Sequence, residues 1–115
     1  MKVGFLTIGQ SPRRDVMDEL SKLIPTNVAI VEAGALDDLS IDEIKTKLAP
    51  QPGGTVYVTR LRNGVEVKIS KEKLLTYMQA KIEYLERIGV DLIAILCSGE
   101  FPEFKAKVPI VYPDK

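Results

Sequence analysis

Residues 91–97 read DLIAILC, an almost continuous apolar run that is typical of a strand buried on both faces. The chain opens with a similar run, KVGFLTI at Lys2–Ile8, which ends at Gly9. Strands buried on both faces occur mainly in parallel sheets that helices cover on each side. The two runs therefore indicate an α/β fold built around a parallel sheet.

The segment after Gly9 has the pattern of an amphipathic helix. Ser11 suits the N-cap position, and Pro12 suits the first helical position. Apolar side chains then recur at the spacing of one helix face, at Val16, Leu20, Leu23 and Ile24. We therefore predict a helix that begins at Ser11-Pro12 and is ended by Pro25.

Two further helices carry terminal signals. Ser40–Glu43 (SIDE) matches a capping box, in which the serine and glutamate side chains each bond the other residue's backbone amide. From Lys71 to Ile88 apolar residues form a stripe at helical spacing, and Gly89 follows where a left-handed C-cap residue belongs. These signals predict a short helix and a long one.

Four other segments are predicted strands: Asn27–Glu32, Thr55–Leu61, Val65–Ile69 and the shorter Val108–Tyr112. Asn63-Gly64 lies between the middle two, and this dipeptide is a strong hairpin signal. The resulting order is β-α-β-α-β-β-α-β-β. It predicts a three-layer α/β fold, in which a mostly parallel open sheet of about four strands, plus a β-hairpin, has helices on both faces.

A length of 115 residues fits one domain, residues 1–115.

The predicted sheet also indicates where a ligand would bind. In open parallel sheets, ligands bind beyond the carboxyl ends of the strands. By that rule the candidate site segments are Gly9–Arg14, Glu32–Ala35, Thr59–Arg62 and Cys97–Phe101.

Composition excludes several functional classes. The 16 basic and 16 acidic residues cancel, so no overall field attracts nucleic acid or an acidic membrane surface. No apolar run approaches the roughly 18 residues that a membrane span needs. Without histidine, and with one cysteine, the chain has no Ser-His-Asp triad, His-ligated zinc or CxxC site. We predict no metal, no nucleic-acid or membrane partner, and a cytoplasmic location, because a lone cysteine suits a reducing compartment.

The Gly9–Arg14 segment has the features of an anion site. Backbone amides at a strand-to-helix turn bind carboxylates and phosphates. Two arginines in a helix's first turn oppose the helix dipole, and a bound anion would reverse that penalty. The candidate contacts are Gly9, Gln10, Ser11 and Arg13. The alternative is a solvated helix start in which Arg14 pairs with Asp18.

The cysteine lies at the end of the last long apolar run. Ser98 and Gly99 follow Cys97, and their backbone amides would favour a thiolate, which could act as a base or a nucleophile. The alternative is that Cys97 is simply a small buried hydrophobe, as free cysteines often are.

Two other strand ends offer charged or polar groups. Thr59 and Arg60 could hold a carboxylate, with Arg60 binding it bidentately, or Arg60 and Arg62 could form the exposed face of the hairpin. Glu32 could orient a substrate ammonium group, or pair with a neighbouring lysine or arginine.

Taken together, four segments resemble the AroM family, whose biochemical function is not established. They are Leu6–Arg13 (LTIGQSPR), Glu32–Asp37 (EAGALD), Val58–Leu61 (VTRL), and Leu96–Gly99 (LCSG) with Phe101-Pro102. They occur in the family's order along the whole chain.

The resemblance implies a link to the Asp/Glu racemase superfamily, which includes hydantoin racemases and arylmalonate decarboxylases. Those enzymes use no cofactor and bind substrate in a cleft between two similar α/β halves. A cysteine from each half usually moves a proton α to a carboxylate, although the decarboxylases manage with one. By this analogy Cys97 matches the first-half cysteine, Ser98 and Gly99 the turn after it, and the Gly9–Ser11 loop the substrate-carboxylate site.

The resemblance covers about half of the family's pattern, because AroM-like proteins are roughly twice as long. We expect an N-terminal domain of a longer two-domain protein, or a short form whose two copies pair through the half-cleft face. The chain is expected to be inactive alone, with racemase, isomerase or decarboxylase-like chemistry only in a completed cleft. The expected ligand is a small carboxylate or other small anion. A non-catalytic anion-binding or regulatory domain, and an interaction module, stay open as alternatives.

Overall fold

A computed structural model describes residues 1–11, 14–61, 63–96 and 101–112, with the backbone alone for residues 14–16. In chain order the elements are β1 (Lys2–Thr7), α1 (Arg14–Leu20), β2 (Ala29–Gly34), α2 (Ile41–Lys47), β3 (Val56–Arg60), β4 (Glu66–Ser70), α3 (Lys71–Ile88), β5 (Leu92–Ile95) and β6 (Ile110–Val111). The predicted order of strands and helices is confirmed.

The main sheet has four strands in the order β2-β1-β5-β6, and every pairing in it is parallel. Strand β1 lies in the interior of the sheet, with Thr7 opposite Gly34 of β2 and Leu6 opposite Ile95 of β5. Strands β3 and β4 form a separate antiparallel pair. The α/β fold class, with about four parallel strands and a hairpin, is therefore confirmed.

Helices cover both faces of the sheet. On one face, Met17 of α1 is buried with Val3 and Phe5 of β1. On the other, side chains of α2, α3 and the hairpin pack in a larger core that includes Leu6 and Ile93. Alternate residues of β1 thus contribute to different cores, as expected for a strand covered on both sides.

Local sequence signals determine where α2 begins and where α3 ends. The Ser40 hydroxyl accepts from the Glu43 amide at 3.2 Å, and the Glu43 carboxylate accepts from the Ser40 amide at 3.0 Å, which completes the predicted capping box. The hydrogen bond from the Ser40 backbone is the main reason that the pKa of Glu43 is lowered. Helix α3 ends at Ile88, and the C-cap residue that follows, Gly89, has the predicted left-handed conformation with a φ of 97°.

Helix α1 is shorter than predicted. It ends at Leu20, and the next turn closes with a tight bond from the Leu23 amide to the Leu20 carbonyl at 2.9 Å. Leu23 is 81% exposed, so its predicted place on the buried face is wrong, whereas Leu20 and Ile24 do pack against the α1-side core. Pro25 limits how far a helix could continue, because proline disfavours helical geometry in the residue before it, but the helix ends four residues earlier than that residue. The side chain of Val16 and the predicted start at Pro12 lie outside the described residues.

The boundaries of one strand of the sheet also differ from the prediction. Strand β2 covers Ala29–Gly34 rather than Asn27–Glu32, so it continues two residues further towards its carboxyl end. The hairpin is confirmed, and the Leu61 amide closes it by bonding the Val65 carbonyl at 2.8 Å. Gly64 supplies the positive φ, 89°, that the turn requires.

Within the described ranges, no helix has both the length and the apolar character needed to cross a bilayer.

Candidate functional site

The loop after β1 touches the end of β3. A Cβ atom built on Gly9 would lie 2.5 Å from Thr59 Oγ1 and 2.9 Å from the Arg60 carbonyl oxygen. Such distances leave no room for a side chain, so only glycine allows this approach. Two of the predicted site segments are therefore in direct contact at the carboxyl edge of the sheet.

The same loop is bonded to the loop after β2. The Asp37 carboxylate accepts hydrogen bonds from the Ser11 amide at 2.7 Å, the Ser11 hydroxyl at 2.7 Å and the Gly34 amide at 2.8 Å. The Leu36 amide also donates to the Gly9 carbonyl at 2.9 Å. The Ser11 amide, predicted to bind an external anion, thus already bonds a carboxylate of the chain itself.

Gln10 is a second tie between these loops. Its side chain is buried, and its Nε2 atom donates to the carbonyls of Leu36 and Leu39, both at 3.2 Å. Gln10 and Ser11 therefore hold the β1 loop in place. Their contact with a ligand stays a prediction.

Thr59 and Arg60 differ sharply in exposure. Thr59 is buried against the Gly9 loop, whereas the Arg60 side chain is 61% exposed. The Arg60 guanidinium lies 3.4 Å from the carboxylate of Glu66, which faces it on β4. An exposed ion pair of this kind is worth about 0–1 kcal/mol. The Arg60 side chain therefore does lie on the exposed face of the hairpin, while its backbone carbonyl adjoins Gly9.

The structure describes the residues on either side of the segment that contains Cys97. Cys97, Ser98 and Gly99 lie outside the described residues, as do Arg13 and Arg62. Before the segment, the Leu96 amide donates to the Leu6 carbonyl at 2.8 Å. After it, Phe101 is buried with its ring centroid 5.6 Å from that of Tyr57 on β3.

Glu32 is half-buried on β2, opposite Phe5 of β1. Both alternatives for it stay open. Two other residues were not selected from the sequence, namely Asp37 and Thr7. Thr7 ends β1 and is 2% exposed, and its hydroxyl has no hydrogen-bond partner within the described ranges. Thr7 could have been selected from the sequence, because it is a hydroxyl residue within the otherwise apolar run of β1.

Other concave surfaces involve different residues. A shallow groove of about 580 Å³ runs along α3 and is lined by residues that include Gln79, Glu83, Pro102 and Phe104. None of the predicted site residues lines it. Among the described residues, no three acidic, cysteine or histidine side chains come together as a metal site.

Comparison with known proteins gives one relationship. No curated protein and no solved structure matches the chain. The model of one family, described as AroM protein, matches residues 3–115, which is nearly the whole chain. The chain therefore belongs to the AroM family.

Proposed function

We propose that this chain binds a small carboxylate at the carboxyl edge of its sheet. The site is formed by the Gly9–Ser11 loop, Thr59, Arg60 and the segment that begins at Cys97. The observation that carries the proposal is the contact of Gly9 with Thr59 and Arg60. The strand that precedes Gly9, β1, is bonded to the end of β5, and Cys97 follows β5 in the sequence. Carboxyl ends of parallel strands are where open α/β sheets bind ligands.

Arg60 supplies the positive charge of the site. Its ion pair with Glu66 is exposed and long, so water already screens it and a ligand can replace it at little cost. A guanidinium binds a carboxylate through two parallel hydrogen bonds, which fixes the orientation of the ligand as well as its charge. Arg13 follows the Gly9–Ser11 loop in the sequence, and we assign it as a second cation of the proposed site.

Cys97 supplies the chemistry that the family resemblance suggests. In a completed cleft, the Cys97 thiolate removes a proton from the carbon next to the ligand's carboxylate, and an acid on the opposite wall returns one. By the family analogy the second group comes from a further half or a second copy, since this chain supplies one cysteine. This step gives cofactor-independent racemisation or isomerisation. In a decarboxylation the carboxylate leaves as CO2, and the Cys97 thiol instead donates a proton to the carbanion left behind.

The second candidate is a non-catalytic domain that binds or senses a small anion. It is favoured by the hydrogen bonds of Gln10, Ser11 and Asp37, which join two loops and engage these polar groups in holding the structure together. The variant Cys97→Ser separates the two functions. A sensor keeps its affinity for carboxylate and has no turnover to lose.

The first prediction concerns the ionisation of Cys97. Alkylation by iodoacetamide, followed against pH, is expected to give an apparent thiol pKa below the ordinary value of about 8.5, because the backbone amides of the residues that follow the cysteine in sequence would favour a thiolate. Every alkylated thiol is Cys97, since the chain has no other cysteine. The urea-unfolded chain is the control and is expected to show the ordinary value. A folded-state pKa near that value, with slow reaction, would exclude the catalytic role.

The second prediction concerns Arg60. The variant Arg60→Gln is expected to weaken malonate binding by about tenfold, the loss of one charge-assisted contact, and to change the free energy of unfolding by less than about 0.5 kcal/mol. Calorimetric titration measures the first effect and urea unfolding the second. Lys68→Gln removes an exposed charge from β4 of the same hairpin and is the matched control. Equal loss of affinity in both variants would mean that only overall charge matters.

A further inference from the structure

Thr7 is a buried polar residue that the proposed function leaves unused. It is 2% exposed, and its Oγ1 atom has no hydrogen-bond partner in the part of the chain that the structure describes. Its backbone is fully integrated, since the carbonyl accepts from the Ala35 amide at 3.0 Å and the residue pairs with Gly34 of β2. The unpaired atom is therefore the side-chain hydroxyl alone.

An unpaired buried hydroxyl lowers stability, because it has lost its bonds to water and gained none in return. Valine has nearly the same shape as threonine and would relieve this cost. The neighbouring residues on the same face of β1, Val3 and Phe5, are apolar and buried. Packing alone therefore favours valine at position 7, and the hydroxyl needs another explanation.

The location of Thr7 supplies that explanation. It is the last residue of β1, a strand paired on both sides, and it precedes the Gly9–Ser11 loop by two positions. On the other side of β1, the bond from the Leu96 amide to Leu6 holds the end of β5, from which the Cys97 segment leaves. The hydroxyl thus lies at the carboxyl edge, between the strand ends that lead into the proposed site.

We infer that the Thr7 hydroxyl is a ligand contact, which donates a hydrogen bond to an oxygen of the small carboxylate bound at this edge. The inference rests on the proposed function and names a residue that neither the sequence patterns nor the family match assigned. Because the hydroxyl is closed to solvent, binding includes a local opening of the edge. Stability lost at Thr7 is recovered when the ligand makes the missing bond.

The test uses two variants of the 115-residue chain with malonate as the probe. Thr7→Val removes the hydroxyl and keeps the shape, and Thr7→Ser keeps the hydroxyl and removes a methyl group. Thr7→Val is expected to unfold at a higher urea concentration than the wild type, and to bind malonate about tenfold or more weakly, the usual effect of losing a bond to a charged group. Thr7→Ser is expected to unfold at a lower urea concentration, because of the missing methyl group, and to bind within about threefold of the wild type.

Two results would overturn the inference while leaving the proposed function intact. One is equal malonate affinity for the wild type and Thr7→Val. The other is a lower urea midpoint for Thr7→Val, which would mean that the hydroxyl bonds a partner inside the protein. Failure of the proposed function looks different, because the wild type itself then binds no malonate, and the inference falls with it.

Discussion

Gly34→Ala is expected to lower the free energy of unfolding by about 3 kcal/mol, the upper end of the usual range for an overpacked site. A Cβ built on Gly34 would lie 2.6 Å from the Gly9 carbonyl oxygen, 2.7 Å from the Ser11 amide nitrogen and 2.7 Å from Asp37 Oδ1. Two of these three atoms belong to the backbone, so no rotation of a side chain relieves the contact. The β1 and β2 loops would have to separate.

The steric origin of this effect can be isolated. Gly34 is not among the described glycines with a positive φ, so alanine meets no conformational penalty there. Gly54→Ala is the matched control, because its Cβ would come no closer than 3.3 Å to any neighbour. Urea unfolding followed by circular dichroism measures both variants, and Gly34→Ala is also expected to melt about 10 °C or more below the wild type. Equal stability of the two variants would contradict the close packing of the loops.

Much of the fold was predictable because its signals are local. The capping box at Ser40–Glu43 needs four consecutive residues, and the C-cap at Gly89 needs one glycine after an apolar stripe. The apolar run at β1 requires burial on both faces whatever its neighbours are. Each of these features depends on residues close together in the chain, so a single sequence contains the information.

The errors arose where two local signals compete. Leu23 fits the apolar stripe of α1, but Pro25 follows closely and disfavours helical geometry in the residue before it, so the stripe runs up to a helix-breaking signal. The stripe alone predicts a buried leucine, and the structure places Leu23 in solvent because the helix ends at Leu20. Strand β2 runs on to Gly34 because it pairs with β1 as far as Thr7, which no local pattern reveals.

The contact between two of the predicted site segments could be anticipated from the sequence, and the bonds that hold them could not. The rule about carboxyl ends of strands grouped Gly9 with Thr59, and the structure brings these residues into contact, although β3 pairs only with β4 and lies outside the parallel sheet. The role of Asp37 depends on Ser11, which is 26 residues away in the chain, and on a distance that only the folded structure fixes. Ser11 was selected as an anion contact, and the anion that the structure shows beside it is a side chain of the same protein.

These contacts also hold in place the loop to which we assign ligand binding. The Gly9–Ser11 loop is bonded to the β2 loop by the Asp37 carboxylate and by the buried amide of Gln10. The same loop abuts Thr59 at the end of β3. A loop fixed on two sides loses little conformational entropy when a ligand binds, and that saving offsets part of the cost of opening the edge at Thr7. Variants that release the loop should therefore weaken ligand binding as well as the fold.

Asp37→Ala tests that consequence and is expected to lower the free energy of unfolding by about 2 kcal/mol, because hydrogen bonds to a charged group contribute more than neutral ones. The substitution leaves the amide and hydroxyl of Ser11 and the amide of Gly34 without the carboxylate they bond. Asp37→Asn keeps one acceptor oxygen and is expected to lie between the alanine variant and the wild type. Malonate affinity is expected to fall in the same order, since the β1 loop is released.

Asp42→Ala is the control for this series, because it removes an exposed carboxylate from the first turn of α2, where its contribution through the helix dipole is only about 0.3–1 kcal/mol. Urea unfolding and calorimetric titration are measured on all four proteins under the same conditions. Asp42→Ala is expected to keep the malonate affinity of the wild type. If Asp37→Ala unfolds and binds as Asp42→Ala does, Asp37 is not the residue that holds the two loops together, and the rigidity of the site has another source.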